Sequence, residues 1–186
     1  MAILGDPAVH LFASCGLALV FAVSAASKMR SWPEFAGAVQ NYRLLPSAAV
    51  RPFSYALPVV ETAVAGGLLI WPARPYAAAA AVALLALFSL AMGVNIARGR
   101  RHIDCGCFRL AFRQPLSWWL VSRNAMLAAL AFLSAAGGML VRPLGWLDLV
   151  TVAGAASALL ALHLAGGYVL GPASPDPRLA PAGADA

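Results

Sequence analysis

Residues 75–97 read PYAAAAAVALLALFSLAMGVNIA, an apolar run without one charged side chain. As an α-helix rising 1.5 Å per residue, it is roughly 34 Å long, enough to cross a hydrocarbon core about 30 Å thick. A helix satisfies its own backbone N–H and C=O groups, which lipid cannot do, and the Ala, Leu and Val content suits a helix rather than a barrel strand.

Working outward from this run, comparable ones occupy about 8–27, 52–71, 116–141 and 145–170. The whole chain agrees with them. Of its 186 residues 62% are hydrophobic and 11% charged, and the mean hydropathy is +0.80, so there is too little polar surface to cover a water-soluble globule. The expected fold is therefore an all-α integral membrane protein: an antiparallel bundle of about five transmembrane helices forming one domain over residues 1–170. Residues 171–186, rich in Pro and Ala and without apolar periodicity, are expected to be a disordered tail. Val23-Ser24-Ala25 resembles a signal-peptide cleavage site, but no positive charge precedes the first run and Asp6 is acidic, so that run is expected to remain as a span.

With five spans the termini lie on opposite faces, and Lys and Arg can be counted by face. One face carries Lys28, Arg30, Arg43, Arg51, Arg98, Arg100, Arg101, Arg109, Arg113 and Arg178, the other only Arg74 and Arg142. Ten against two places the basic loops and the C-terminus in the cytoplasm and the N-terminus outside. The net charge of +6 then needs no nucleic acid, because a basic cytoplasmic face beside anionic lipid accounts for it. Trp71 and Trp146 mark one interface, Trp32, Trp118 and Trp119 the other. In the first basic loop, Ser31-Trp32-Pro33-Glu34 has capping-box spacing. Phe35, Val39 and Tyr42 then recur at helical intervals before Pro46, which predicts a short interfacial helix.

The sharpest local motif is His102-Ile103-Asp104-Cys105-Gly106-Cys107-Phe108, in the most basic loop. Two cysteines one residue apart close a disulfide only across a tight turn, which the central Gly permits, and so small a ring is readily reduced. Arg100, Arg101, Arg109 and His102 favour the thiolate that performs exchange, with Asp104 opposing them. A half metal site, a palmitoylation target or two inert thiols are the plainer readings of Cys105 and Cys107. No second cluster is available to complete a zinc site. Cys15, inside the first span, reads as a small packing residue.

Polar residues within spans are costly and so draw attention. Glu61 lies about nine residues past Pro52 and Arg123 about nine past Gln114, which gives both a depth of roughly 14 Å below the basic face. Together with Asn95, Asn124 and His163 they suggest a buried polar cluster beneath the cysteine loop, centred on a Glu61–Arg123 ion pair. The competing reading is that these residues only fix helix packing and register. If the cluster works in chemistry, Glu61→Gln leaves the fold standing and abolishes thiol exchange. Gly66-Gly67, Ala77–Ala81 and Gly137-Gly138 offer close helix packing. The sequence holds no phosphate-binding glycine loop, no paired-histidine metal motif and no nucleophile with a base partner.

Ser27-Lys28-Met29-Arg30, Phe35, Ala38-Val39, Tyr42 to Pro46, Pro58-Val59-Val60-Glu61 and Asp104-Cys105-Gly106-Cys107-Phe108 together resemble the methylamine utilisation protein MauE family, related to DoxX-like four-helix membrane proteins. The resemblance covers roughly residues 8–165. It implies a DoxX-like four-helix core plus one helix in a bacterial inner membrane. The implied role is helping to mature, process or export the disulfide-rich β-subunit of methylamine dehydrogenase, alongside a thioredoxin-like partner, MauD. Carried over, the family's cysteine pair falls on Cys105 and Cys107 and its intramembrane acid on Glu61. Members commonly have Gly after Cys-Gly-Cys-Phe, where this chain has Arg109. Maturation of a secreted client belongs outside the cytoplasm, whereas charge counting puts the cysteine loop inside.

Three functions compete. The first is a thiol-disulfide relay through Cys105 and Cys107, working with a thioredoxin-like protein on a secreted client. The second is a membrane carrier for a quinone or other small molecule centred on Glu61, and the third a structural assembly subunit. No cofactor is expected, and a quinone enters only with the carrier.

Overall fold

A computed structural model describes residues 6–101, 103, 116–135 and 143–169, with residues 167–169 described by backbone only. Six helices make up the described chain: α1 (Pro7–Arg30), α2 (Trp32–Tyr42), α3 (Ser47–Leu69), α4 (Arg74–Ala97), α5 (Trp118–Ala135) and α6 (Trp146–Val169). A 3-10 turn, Trp71–Ala73, leads into α4. All except α2 are long and apolar enough to cross a membrane, so the chain is a multi-pass membrane protein. The expected Pro/Ala tail, Gly137-Gly138, His102 and the Cys105-Gly106-Cys107 pair lie outside the described residues.

Helix α1 begins where Asp6 caps it, its carboxylate accepting from the Ala8 amide at 2.8 Å, with Pro7 in the first turn. Its buried residues His10, Ser14, Leu17, Phe21, Ser24 and Lys28 recur at intervals of three and four, a continuous stripe down one face. The helix is the hub of the bundle, packing on α3, α5 and α6, while α4 packs on α5 and α3. Around it lies an apolar core that includes Leu17, Phe21, Leu68, Ala81, Leu85 and Leu127. At the end remote from the basic loops two polar ties join α1 to α5. His10 Nδ1 meets the Leu133 carbonyl at 2.7 Å, and the Ser14 and Ser134 hydroxyls meet at 2.7 Å.

Close packing uses small residues, as expected, but only some of those expected. A Cβ on Gly67 would stand 2.8 Å from that of Ala77, so α3 and α4 touch there because Gly67 has no side chain, whereas Gly66 faces open space. Around the bundle Tyr76, Leu90, Met126, Phe132 and Leu162 point outward, where lipid solvates them.

The short helix appears where predicted, but not by the predicted cap. Ser31 makes no side-chain capping bond, and the helix starts on Pro33 in its first turn and on the Phe35 amide donating to the Ser31 carbonyl at 3.0 Å. It ends at Arg43, in the left-handed region at φ 49°, which turns the chain back so that Pro46 can open α3. Helix α3 starts at Ser47, before the expected 52, with Pro52 and Pro58 inside it.

Candidate functional site

The expected cluster around a Glu61–Arg123 pair does not form, and its members divide into three groups. Glu61, fully buried, pairs instead with Lys28, whose ammonium donates to both carboxylate oxygens at 2.7 and 2.9 Å and to the Ser24 hydroxyl. Ser24 in turn donates to Glu61 at 3.3 Å. The reason is which helices face each other: α3 packs on α1 and α4, whereas α5 packs on α4 and α1. Glu61 is fourteen residues into α3 and Arg123 five into α5, so the equal offsets expected from the sequence do not hold either. Lys28 reads as a loop charge in the sequence, yet α1 continues to Arg30 and carries Lys28 on the same buried stripe as Ser24.

Arg123 is buried between α5 and α6, where one guanidinium nitrogen donates to the His163 carbonyl at 3.3 Å. Asn124, also buried, neighbours it on α5, and neither Arg123 Nε nor Asn124 Nδ2 has a partner among the described residues. Asn95, fully buried on α4, belongs to a third group. Its amide donates to the Ala91 carbonyl at 3.0 Å, and its oxygen accepts from Arg100 at 3.2 Å. Arg100 reaches on to the Asn41 and Tyr42 carbonyls at 2.9 and 3.4 Å. A cation thereby satisfies the open C-terminal carbonyls of α2 and fastens it to the end of α4. Arg101, expected to tune a thiolate, is exposed, and its carbonyl helps close the cysteine loop.

Hydrogen bonds join the described residues on either side of the segment the sequence singled out. The Leu116 amide donates to the carbonyls of Arg101 at 2.9 Å and Ile103 at 3.2 Å. Ile103 and Leu116 are buried with Met92, Ile96 and Leu120, against Tyr42, Phe88 and Val121. Ile103 and Leu116 are thereby held together at the basic end of α4 and α5.

Beside this stem, α1, α2, α3 and α4 enclose a cavity of about 150 Å³, lined by Lys28, Phe35, Tyr42, Leu57, Phe88 and Met92 among others. Among the described residues of its wall Lys28 alone is charged, and the Phe35 and Phe88 rings each lie 5.5 Å from the ammonium. On the outer side of α2, Trp32 stacks on Tyr55 of α3 with ring centroids 4.2 Å apart. Sequence reasoning missed Lys28, Ser24, Phe35 and Phe88. The spacing from His10 to Lys28 carried the signal for the first two, but nothing local could pair Phe35 with Phe88. No group of three potential metal ligands exists among the described residues. Cys15 is half-buried on α1.

The family profile described as methylamine utilisation protein MauE matches residues 6–137. Curated relatives named methylamine utilization protein MauE include one from Paracoccus denitrificans, 52% identical over 121 residues, 65% of each chain. The aligned part is thus just under two thirds of that relative's length. A second, from Paracoccus versutus, is 44% identical over 161 residues, 87% of each chain. A third, from Methylophilus methylotrophus, is 48% identical over 132 residues, 71% of this chain and 66% of the relative. No solved structure matches the chain.

Proposed function

We propose, because this chain belongs to the methylamine utilisation protein MauE family, that it serves methylamine utilisation as a membrane thiol-disulfide relay assisting the maturation of a disulfide-containing client. The observation that carries the reading is the pinned stem. The Leu116 amide, after the segment that carries Cys105-Gly106-Cys107, donates to the Arg101 and Ile103 carbonyls before it, and Ile103 and Leu116 rest on an apolar seat at the basic end of the bundle. Cations near a thiol favour the attacking thiolate.

In this reading one cysteine thiolate attacks a disulfide sulfur of a thioredoxin-like, MauD-like partner, and one partner thiolate leaves. The second cysteine attacks the resulting mixed disulfide and releases the other partner thiolate. Two electrons pass to the partner, Cys105 and Cys107 become a disulfide, and the reverse sequence reduces them again. The Lys28–Glu61 pair has a positioning role, holding α1 to α3 beneath the loop. The protein sits in the bacterial inner membrane with the basic face, and the cysteine loop with it, towards the cytoplasm. The transmembrane region, residues 1–170, acts as one domain.

Cys105→Ser and Cys107→Ser are each expected to abolish growth on methylamine while the protein still accumulates in membranes. Growth at the parental rate in both would sink the relay. A membrane-impermeant maleimide applied to intact cells of a Cys15→Ala background tests the face. Labelling from outside only after reduction would reverse the orientation and leave the relay standing, whereas reductant-independent labelling only after lysis would remove the relay.

A further inference from the structure

A bundle at native packing density leaves few voids larger than a water molecule, yet about 150 Å³ stays open between α2, α3 and α4. Its long axis follows the helices. Leu44 and Leu45, in the turn between α2 and α3, line the shallow end, whereas Leu57 lies ten residues past Ser47 on α3 and Leu87 ten before Ala97 on α4. Ten helical residues span roughly 15 Å, half of a hydrocarbon core about 30 Å thick and so the depth of one leaflet. Leu44, Leu45 and Leu87 are also exposed, so the cavity opens outward to the lipid around the bundle, while Phe35, Ala38, Leu57 and Met92 are buried and form its inner wall.

The wall selects an apolar occupant. Lys28, the one charged side chain among its described residues, gives its donors to both Glu61 oxygens and to Ser24 and has none left for a ligand. The rest is aliphatic and aromatic. An engineered apolar cavity of about this size takes benzene, so a stretch of roughly six carbons fits, with the remainder of its molecule in the bilayer. A helix, about 10 Å across, is too wide to enter. The mouth adds charge. Arg43 directly precedes Leu44, Arg51 lies two residues before Phe53 of the wall, both are exposed, and no acid among the described residues pairs with either. We propose that the cavity seats one acyl chain of an anionic phospholipid whose phosphate rests on Arg43 and Arg51. The chain fills the slot to leaflet depth and the head group stays at the surface, where the two cations stand.

The test uses the purified full-length protein in detergent, titrated separately with dioleoylphosphatidylglycerol and dioleoylphosphatidylcholine, with native mass spectrometry counting the lipids retained. Saturable binding of one phosphatidylglycerol per chain is expected. A cationic side chain at a membrane surface favours anionic lipid by about fivefold, so two predict a preference of about twenty-five-fold over phosphatidylcholine. Arg43→Asn with Arg51→Gln is expected to reduce that preference to under about threefold. Asn suits the left-handed backbone at position 43, and both positions are exposed, so this variant needs no repacking. Ala38→Phe and Ala91→Phe, which fill the cavity, are expected to weaken binding of either lipid at least about tenfold, and Ala91→Leu is the milder filling should the larger ones prevent folding. Non-saturable uptake, a wild type that does not distinguish the two lipids, or a preference that survives loss of both arginines overturns the inference. So does binding indifferent to the filling variants while circular dichroism shows them folded, which would place the lipid on the outer surface of the bundle. A dimer that phosphatidylglycerol does not dissociate but the filling variants do would overturn it in favour of a second copy at the cavity.

Discussion

Two buried cations near the basic end of the bundle are accommodated in opposite ways. Lys28, on α1, meets a carboxylate, a hydroxyl and two aromatic rings, so its charge is neutralised and each of its donors is used. Among the described residues Arg123, on α5, reaches a single backbone carbonyl, and no carboxylate lies within ion-pair distance of it. Depth in the membrane does not explain the difference. Helix phase does: α1 is the hub and turns Lys28 into the α1–α3 interface, while Arg123 on α5 reaches the His163 carbonyl of α6, whose one acid, Asp148, stands at its far end. A buried charge is matched by whichever helix faces it, so α1–α3 is held by an ion pair, whereas Arg123 gives α5 one charge-assisted hydrogen bond to α6.

The contrast can be broken most severely at Glu61. Glu61→Ala leaves Lys28 charged and unpaired, a change expected to cost about 3–5 kcal/mol in reversible detergent unfolding followed by circular dichroism. Lys28→Met combined with Glu61→Leu is expected to recover most of that loss, since apolar side chains of similar volume can replace a buried pair. A double variant as unstable as the single one would show that the pair is not what holds α1 to α3. Glu61→Gln, expected from the sequence to leave the fold standing, is by the same reasoning a stability variant before it is a chemical one, because it too strands the ammonium.

A smaller effect is expected at Arg100, the cation that fastens α2. Arg100→Ala removes its charge-assisted bonds to the Asn41 and Tyr42 carbonyls and is expected to cost about 2 kcal/mol, concentrated in α2. Hydrogen exchange should then quicken over residues 32–42 and remain slow in α1; uniform quickening would place the tether elsewhere. The smallest effect belongs to the unmatched cation. Arg123→Met is expected to shift stability by only about 1 kcal/mol, since one bond to a carbonyl is lost and no partner charge is stranded. A loss as large as that of Glu61→Ala would show that Arg123 has an anionic partner after all.

Much of this was legible before any coordinates. Apolar runs long enough for lipid located five spans, with ends wrong by up to about five residues, as at α3, where Pro52 was taken for a start that Ser47 makes instead. The helix Trp32–Tyr42 was readable from its Pro and its spacing, and Glu61 from the cost of an acid in a span. Less legible was Lys28, because a charge beside a hydrophobic run looks like the end of the run, and only the three-and-four stripe from His10 argued for continuing it.

The sequence by itself determined that the chain lives in a bilayer, how many times it crosses, and which residues are anomalous there. Those conclusions rest on local quantities, namely hydropathy, length and charge, that each segment carries whatever surrounds it. Tertiary structure alone decided that Glu61 meets Lys28 rather than Arg123, that Arg100 closes α2, and that Phe35, Phe88 and Met92 enclose a cavity against the stem of the cysteine loop. Each of those depends on the rotation and offset of one helix against another, and a shift of one residue turns a side chain by about 100° around its axis.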